Sequence, residues 1–247
     1  MSKFFPDGFE EFYQKMTHFP RQNEQDFAVI FSSQKLLDKN YGSEIDNFSN
    51  VMRFNFAPTL GHENHVGSKT THRILNDKVR YKERNEKILI SESLGPLYIQ
   101  KVMRDFQSSR LPKNQDFFTE FYLLNRQFQN VIFSLILNKF NVKYLNYSSG
   151  FIGVFYGIFS SLTPPVIYGF QTIEELDKSV DEHYFDLVQI LENDTNFMGN
   201  NNRQILKEYQ EALKGKKNFI QKSTIHNFTL EKKIISVLAR QKLIVLK

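Results

Sequence analysis

Short apolar runs, separated by segments of helical period, constrain this chain more than any other feature. Residues 26–31, DFAVIF, are rich in β-formers and end in the polar turn SSQK, so they read as a buried strand. NVMRFNF (50–56), KILIS (87–91), EFYLLN (120–125) and PPVIYGF (164–170) read as further strands. Between them, RQFQNVIFSLILNKFN (126–141) repeats apolar residues at Phe128, Val131, Ile132, Leu135 and Ile136, the spacing of an amphipathic helix. SSGFIGVFYGIFSSL (148–162) reads as a buried helix, and TLEKKIISVLARQKL (229–243) as a helix with a basic solvent face, followed by a last strand, IVLK. Strands alternating with helices predict an α/β fold: a single Rossmann-like domain with a mainly parallel central sheet flanked by helices. A polar, aromatic-dotted lead-in (1–25) precedes that domain (26–247). Ligands in such folds bind at the carboxyl ends of the strands, where the turns SSQK, NFAPT and QTIEE fall.

Composition narrows the function classes. With 247 residues, 40% of them hydrophobic and 24% charged, the chain has enough material for one sizeable core. The formal net charge of +5 suits an anionic small ligand or an anionic surface as well as it suits nucleic acid. There are no zinc-finger cysteines and no RNA-binding aromatic signature, which ranks nucleic acid low. The chain has no cysteine, so disulfide and thiolate chemistry are excluded and a reducing compartment is compatible. The N-terminus carries charges and prolines without an apolar run, and residues 150–170 are broken by Gly, Ser and two prolines. The expectation is a soluble chain without a membrane span.

Three polar knots carry candidate chemistry. RFNFAPTLGHENHVGSKTTHRILN (53–76) holds three of the six histidines. His62 and His65 stand three apart, whereas H-E-x-x-H needs four, and Pro58, Gly61 and Gly67 interrupt any long helix. A metal site built from His62, His65 and His72 competes with water-facing turn histidines, and the second reading is favoured. At NYSSG (146–150), Ser148, Ser149 and the Gly150 amide open a helix, which makes either an anion site or a plain serine N-cap. Glu231 follows His226 by five residues, placing His226 in the loop before a helix and Glu231 in its first turns. A loop histidine near a carboxylate is suited to general base work, and a water-facing histidine is the plain alternative. No P-loop, dinucleotide fingerprint or G-x-S-x-G elbow occurs.

Taken together and in order, these segments resemble the eukaryotic-type sialyltransferases, family 29 of the glycosyltransferases. Residues 27–76, with GSEID, RFNFAPT and VGSKTTHRILN in register, resemble the long sialylmotif. NYSSGFIGVFYGIFSSLTPPVIYGF resembles the short one, HYFD (183–186) is similar to motif III, and His226 to Glu231 matches the H-x4-E of the very short motif. The resemblance implies a GT-A-like variant of the Rossmann fold and an inverting, metal-independent transfer of sialic acid from CMP-sialic acid to a glycan hydroxyl. The acceptor it points to is a terminal galactoside, with no resident cofactor. It implies that His226 deprotonates the acceptor and that His183 hydrogen-bonds the departing phosphate. Ser148, Ser149 and Gly150 would hold donor anions, with Ser32 and Asn55 at the CMP part, Asn76 near the transfer site, Tyr184 lining the pocket and Glu231 supporting local structure. The glycan would be carried by a glycoprotein, glycolipid or oligosaccharide.

Departures from the family pattern raise competing expectations. The family's disulfide positions fall at Phe27 and near Ser161 or Leu162, so packing has to replace that link. FSSQ stands where most members have GNSG or SSAG. The usual anchor and stem are not seen, which leaves a cytoplasmic relative or a truncated Golgi-lumenal domain. A catalytically silent CMP- or glycan-binding relative, and a transferase for another CMP-activated acidic sugar such as Kdo, are the alternatives.

Overall fold

The computed structural model describes residues 17–18, 20, 25–55, 57–75, 87–90, 120–124, 126–141, 147–172 and 227–247. Its strands are β1 (Thr17–His18), β2 (Phe27–Ile30), β3 (Asn50–Phe54), β4 (His72–Leu75), β5 (Lys87–Ile90), β6 (Glu120–Leu124), β7 (Val166–Tyr168) and β8 (Val245–Leu246). They form one sheet in the order β1-β6-β5-β4-β3-β2-β7-β8, and every pairing is parallel. The helices are α1 (Gly42–Asp46), α2 (Glu63–Val66), α3 (Arg126–Phe140), α4 (Ser149–Ser160) and α5 (Phe228–Arg240), with a 3-10 turn at Gln34–Asp38.

Alternation along the central strands divides the core into two layers. Phe27, Val29, Met52, Phe54 and Ile74 face α3, α4 and α5, joining Phe128, Ile132, Phe151, Phe155, Ile234 and Ile235. Ala28, Ile30 and Val51 face the other side with Leu36, Ile45, Val66 and Tyr168. Both sides of β2 are therefore sealed, as its unbroken apolar run requires. From β2 the chain walks outward through β3, β4, β5 and β6, then returns through α3 and α4 to β7 on the opposite side of β2. That reversal opens a crevice at the carboxyl ends of β2 and β7, where sheets of this kind bind ligands.

Besides β1, which brings part of the lead-in into the sheet, two differences from the sequence reading bear on the core. His72–Leu75 is a strand, although residues 72–75 sit inside what reads as a turn-rich segment; Arg73 at its centre breaks the apolar pattern. In register beside it lies Arg53, and both arginines are buried. Arg53 donates to the carbonyls of Val66, Gly67 and Lys69 and to the Thr70 hydroxyl. Arg73 donates to the carbonyls of Asn55 and Ala57, both at 3.0 Å. The second difference is in α5, whose basic face was expected to meet solvent. Lys233 does, but Lys232 is only 8% exposed.

The family's disulfide positions are bridged by other means. The Ser161 hydroxyl donates to the Gln25 carbonyl at 3.1 Å, tying the end of α4 to the lead into β2, while Leu162 is 58% exposed. Phe27 packs its ring against Tyr156 and His72, with centroids 5.9 and 5.3 Å away. Among the described residues no helix is long and apolar enough to cross a membrane.

Candidate active site at the switch-point crevice

The N-terminal turn of α4 sits directly over the carboxyl ends of β2 and β3. A Cβ on Gly150 would stand 2.7 Å from the Phe31 ring, and one on Gly153 would strike the Phe54 ring. Only glycine allows the helix to come this close. Phe31 and Phe54 immediately precede Ser32 and Asn55, so the approach brings three sequence-predicted donor groups to one end of the sheet. Asn55 adopts a left-handed backbone, φ 45°, a conformation asparagine tolerates better than most residues. Its amide donates to the Ile74 carbonyl at 2.9 Å, and its carbonyl is held by Arg73. Ser32 is half-buried and lies just before Ser33, whose hydroxyl accepts from the Lys35 amide at 3.3 Å and caps the 3-10 turn.

Ser148 takes the N-cap role, the plain alternative of the sequence reading. Its hydroxyl accepts from the Phe151 amide at 3.1 Å and donates to Glu231 Oε2 at 2.6 Å. Its own amide donates to Glu231 Oε1 at 2.8 Å. A hydroxyl has one hydrogen to give, so here Ser148 has none left for a donor anion. Ser149 and Gly150 differ: their amides make no hydrogen bond among the described residues, as expected for the first positions of a helix, and both residues are half-buried. These two amides, the Ser149 hydroxyl and the positive end of the α4 dipole form a face whose chemistry suits an anion.

Glu231 lies in the opening turns of α5, beyond its N-cap Asn227, whose side chain accepts from the Leu230 amide at 3.0 Å. It is 3% exposed, and burial pushes its carboxyl up to about 7 against the pull of the two Ser148 hydrogen bonds. Beside it, Lys232 places its ammonium 5.9 Å from the centroid of the Phe170 ring, and Phe170 packs edge-on against Phe31. This lysine was missed in the sequence because KK suggests solvent. The signal that could have found it is its i, i+3 spacing to Ile235, which puts it on the buried stripe of α5.

The histidines of the 53–76 segment point to separate neighbours. His65 Nδ1 lies 2.8 Å from the Lys39 carbonyl, and His72 packs between Phe27 and Tyr156. Among the described residues no group of three or more potential ligands is close enough to hold a metal. Asn76, His183, Tyr184 and His226 lie outside the described residues, although Asn76 follows β4 and His226 precedes Asn227 in the chain.

A wholly parallel sheet with helix-N-terminal amides and a left-handed asparagine at its switch point defines the class: an α/β protein of the Rossmann-like kind, in which the carboxyl edge of the sheet is the usual place for a ligand. Residues 4–198 match glycosyltransferase family 29 (sialyltransferase), and the chain belongs to that family. The match ends before α5.

The individual comparisons agree. Over 52 residues the chain is 48% identical to the β-galactoside α-2,6-sialyltransferase 2 of Gallus gallus, covering 21% of this chain and 10% of the relative. Over 61 residues it is 44% identical to the CMP-N-acetylneuraminate-β-galactosamide-α-2,3-sialyltransferase 1 of Gallus gallus, covering 25% and 18%. The matched segments thus span a fifth or less of those relatives' length. The fold is similar to the crystal structure of a mammalian sialyltransferase in complex with Gal-β-1-3GalNAc-ortho-nitrophenol, with TM-score 0.59 and 18% identity, over 91% of this chain and 69% of that one.

Proposed function

We propose that this chain transfers sialic acid from CMP-sialic acid to a glycan hydroxyl, with inversion and without a metal. The observation that supports this most is the pair of amides at Ser149 and Gly150, without a partner among the described residues, on a helix whose Gly150 and Gly153 pack over Phe31 and Phe54, next to Ser32 and Asn55, in a family 29 chain. The phosphate of the donor sits at those amides, where fixed N–H groups and the helix dipole stabilise the charge that grows as the glycosidic bond breaks. Ser32 and Asn55 contact the CMP part, and the family resemblance assigns Asn76 to the donor near the transfer site and Tyr184 to the pocket lining. His183 donates to the departing phosphate, and His226 removes the proton from the acceptor hydroxyl. Both relatives above are named for galactose-type acceptors, so the acceptor is a galactoside.

The test is transfer from CMP-sialic acid to lactose, with and without EDTA, by wild type and His226→Ala. Transfer indifferent to EDTA and nearly abolished by the substitution is the expected result; EDTA-sensitive transfer refutes the metal-free mechanism. One observation favours a second reading, a silent binder of CMP: the β2 loop runs straight into a Ser33-capped 3-10 turn where a glycine turn would let the backbone approach a nucleotide closely. Tight CMP binding without transfer to any acceptor would select that reading.

A further inference from the structure

We propose that Glu231 is a positioning residue that sets, through Ser148, how strongly the α4 N-terminus grips the donor's phosphate. The inference rests on the donor site proposed above and adds the control of that site by proton.

With Glu231 charged, the single hydrogen of the Ser148 hydroxyl is drawn to Oε2 and the Ser148 amide to Oε1. A buried negative charge then stands against the residue just before the two amides that are to receive an anion, and weakens their grip. When Glu231 takes a proton from solvent, the donor and acceptor roles across the 2.6 Å contact can reverse. The carboxyl O–H then donates to Ser148 Oγ, which still accepts from the Phe151 amide. Both lone pairs of Oγ are used and its hydrogen is released. That hydrogen can turn toward the phosphate beside Ser149 and Gly150, adding a third donor while the opposing charge disappears.

Few groups compete for control of this carboxyl. Burial is the main cause of its raised pKa, and no charged side chain contributes to the shift. Lys232 on the same helix directs its ammonium to the Phe170 ring, and Lys233 faces solvent. On α4 the sole titratable residue is Tyr156, packed against Phe27 and His72. His226 adjoins the α5 cap in sequence, and histidine is the side chain whose unperturbed charge change falls between about pH 5 and 8. Glu231→Gln separates the two groups: the amide copies the neutral acid, its NH2 donating to Ser148 Oγ and its oxygen accepting the Ser148 amide, while His226 is untouched.

The experiment measures CMP affinity of the full chain by calorimetry at pH 6, 7 and 8 for wild type and Glu231→Gln. The phosphate of CMP titrates nearby, with a second pKa of about 6, and this contribution is common to both proteins. Relative to Glu231→Gln, wild type is expected to lose roughly tenfold in affinity between pH 6 and pH 8, the fall in the protonated fraction of a group titrating near 7. Equal pH slopes in the two proteins overturn the inference. No CMP binding by either protein at any pH instead refutes the donor site itself. Ser148→Ala serves as the second variant: it should lose the hydroxyl's share of the low-pH gain and keep only the share due to the Glu231 charge, and retention of the full wild-type slope without the hydroxyl overturns the switch.

Discussion

Glu231→Gln also carries a stability prediction whose size follows from burial alone. The carboxyl stands at about 7 in the folded chain against an ordinary 4.5, with desolvation of the charged form as the leading cause. A carboxyl with a raised pKa holds its proton in the folded state after the unfolded chain has lost it. Between the two values the folded chain therefore binds more protons, and stability falls as pH rises. The contribution is whole below pH 4.5, declines to about pH 7 and is absent above. At about 1.4 kcal/mol per pH unit, the window is worth about 3 kcal/mol. Glutamine cannot ionise, so the stability difference between the two proteins should shift by that amount in favour of Glu231→Gln on going from pH 4.5 to pH 8. For a chain of this length the equivalent is roughly 6–12 °C in Tm, readable by urea titration or thermal melting at several pH values. Glu44 and Asp46 are held below their ordinary values, with the opposite pH dependence, but they are common to both proteins and cancel in the difference. A difference that stays constant across the range would show that the Ser148 contacts, not burial, govern this carboxyl.

Other perturbations test the packing that assembles the site. Phe27→Ala empties the cluster with Tyr156 and His72 and should cost about 3–5 kcal/mol in urea unfolding. Gly150→Ala sets a methyl against the Phe31 ring, 2.7 Å away, and should displace the two amides enough to weaken CMP binding by roughly tenfold, about 1.4 kcal/mol, with unfolding little changed. Arg73→Met strands the Asn55 and Ala57 carbonyls and should cost about 2–6 kcal/mol at about 1–3 per unsatisfied buried group. Its CMP affinity should fall too, because the left-handed turn at Asn55 loses its anchor.

The legible parts of this fold are those whose apolar pattern is local. FAVI, VIY and the i, i+3, i+4 recurrence of α3 announce themselves because every residue needed for the inference lies within one element. The missed strand and the missed buried lysine share one physical cause. Arg73 and Lys232 look like surface residues in sequence, since a charged side chain is rarely buried without partners. Arg73 is buried because the carbonyls at Asn55 and Ala57 receive it, and those come from the turn after another strand. Lys232 is buried with its ammonium near the Phe170 ring, which comes from the segment after β7. Whether a cation enters the interior is decided by groups distant in sequence, and no window of ten residues contains them.

The same logic explains why the serine step could be located but not resolved. Ser-Ser-Gly before an apolar helix marks an N-terminus, and the first serine is the cap, as local rules require. Where that serine's own amide and hydroxyl hydrogens go is set 83 residues away by Glu231. The consequence reaches past Ser148 itself. Glu231 lies four helical positions beyond Asn227, about 6 Å along the axis, so fastening Glu231 to the start of α4 also fastens the start of α5 near the Ser149 and Gly150 amides. Next to Asn227 in sequence is His226, the base of the proposed reaction. Acting through Ser148, this carboxylate can therefore govern the proposed transfer twice, through the charge next to the Ser149 and Gly150 amides and through the placement of the start of α5. The two roles separate experimentally: Glu231→Gln keeps the clasp and removes the charge, whereas Glu231→Ala removes both, so activity lost in the alanine variant but kept in the glutamine variant belongs to the placement.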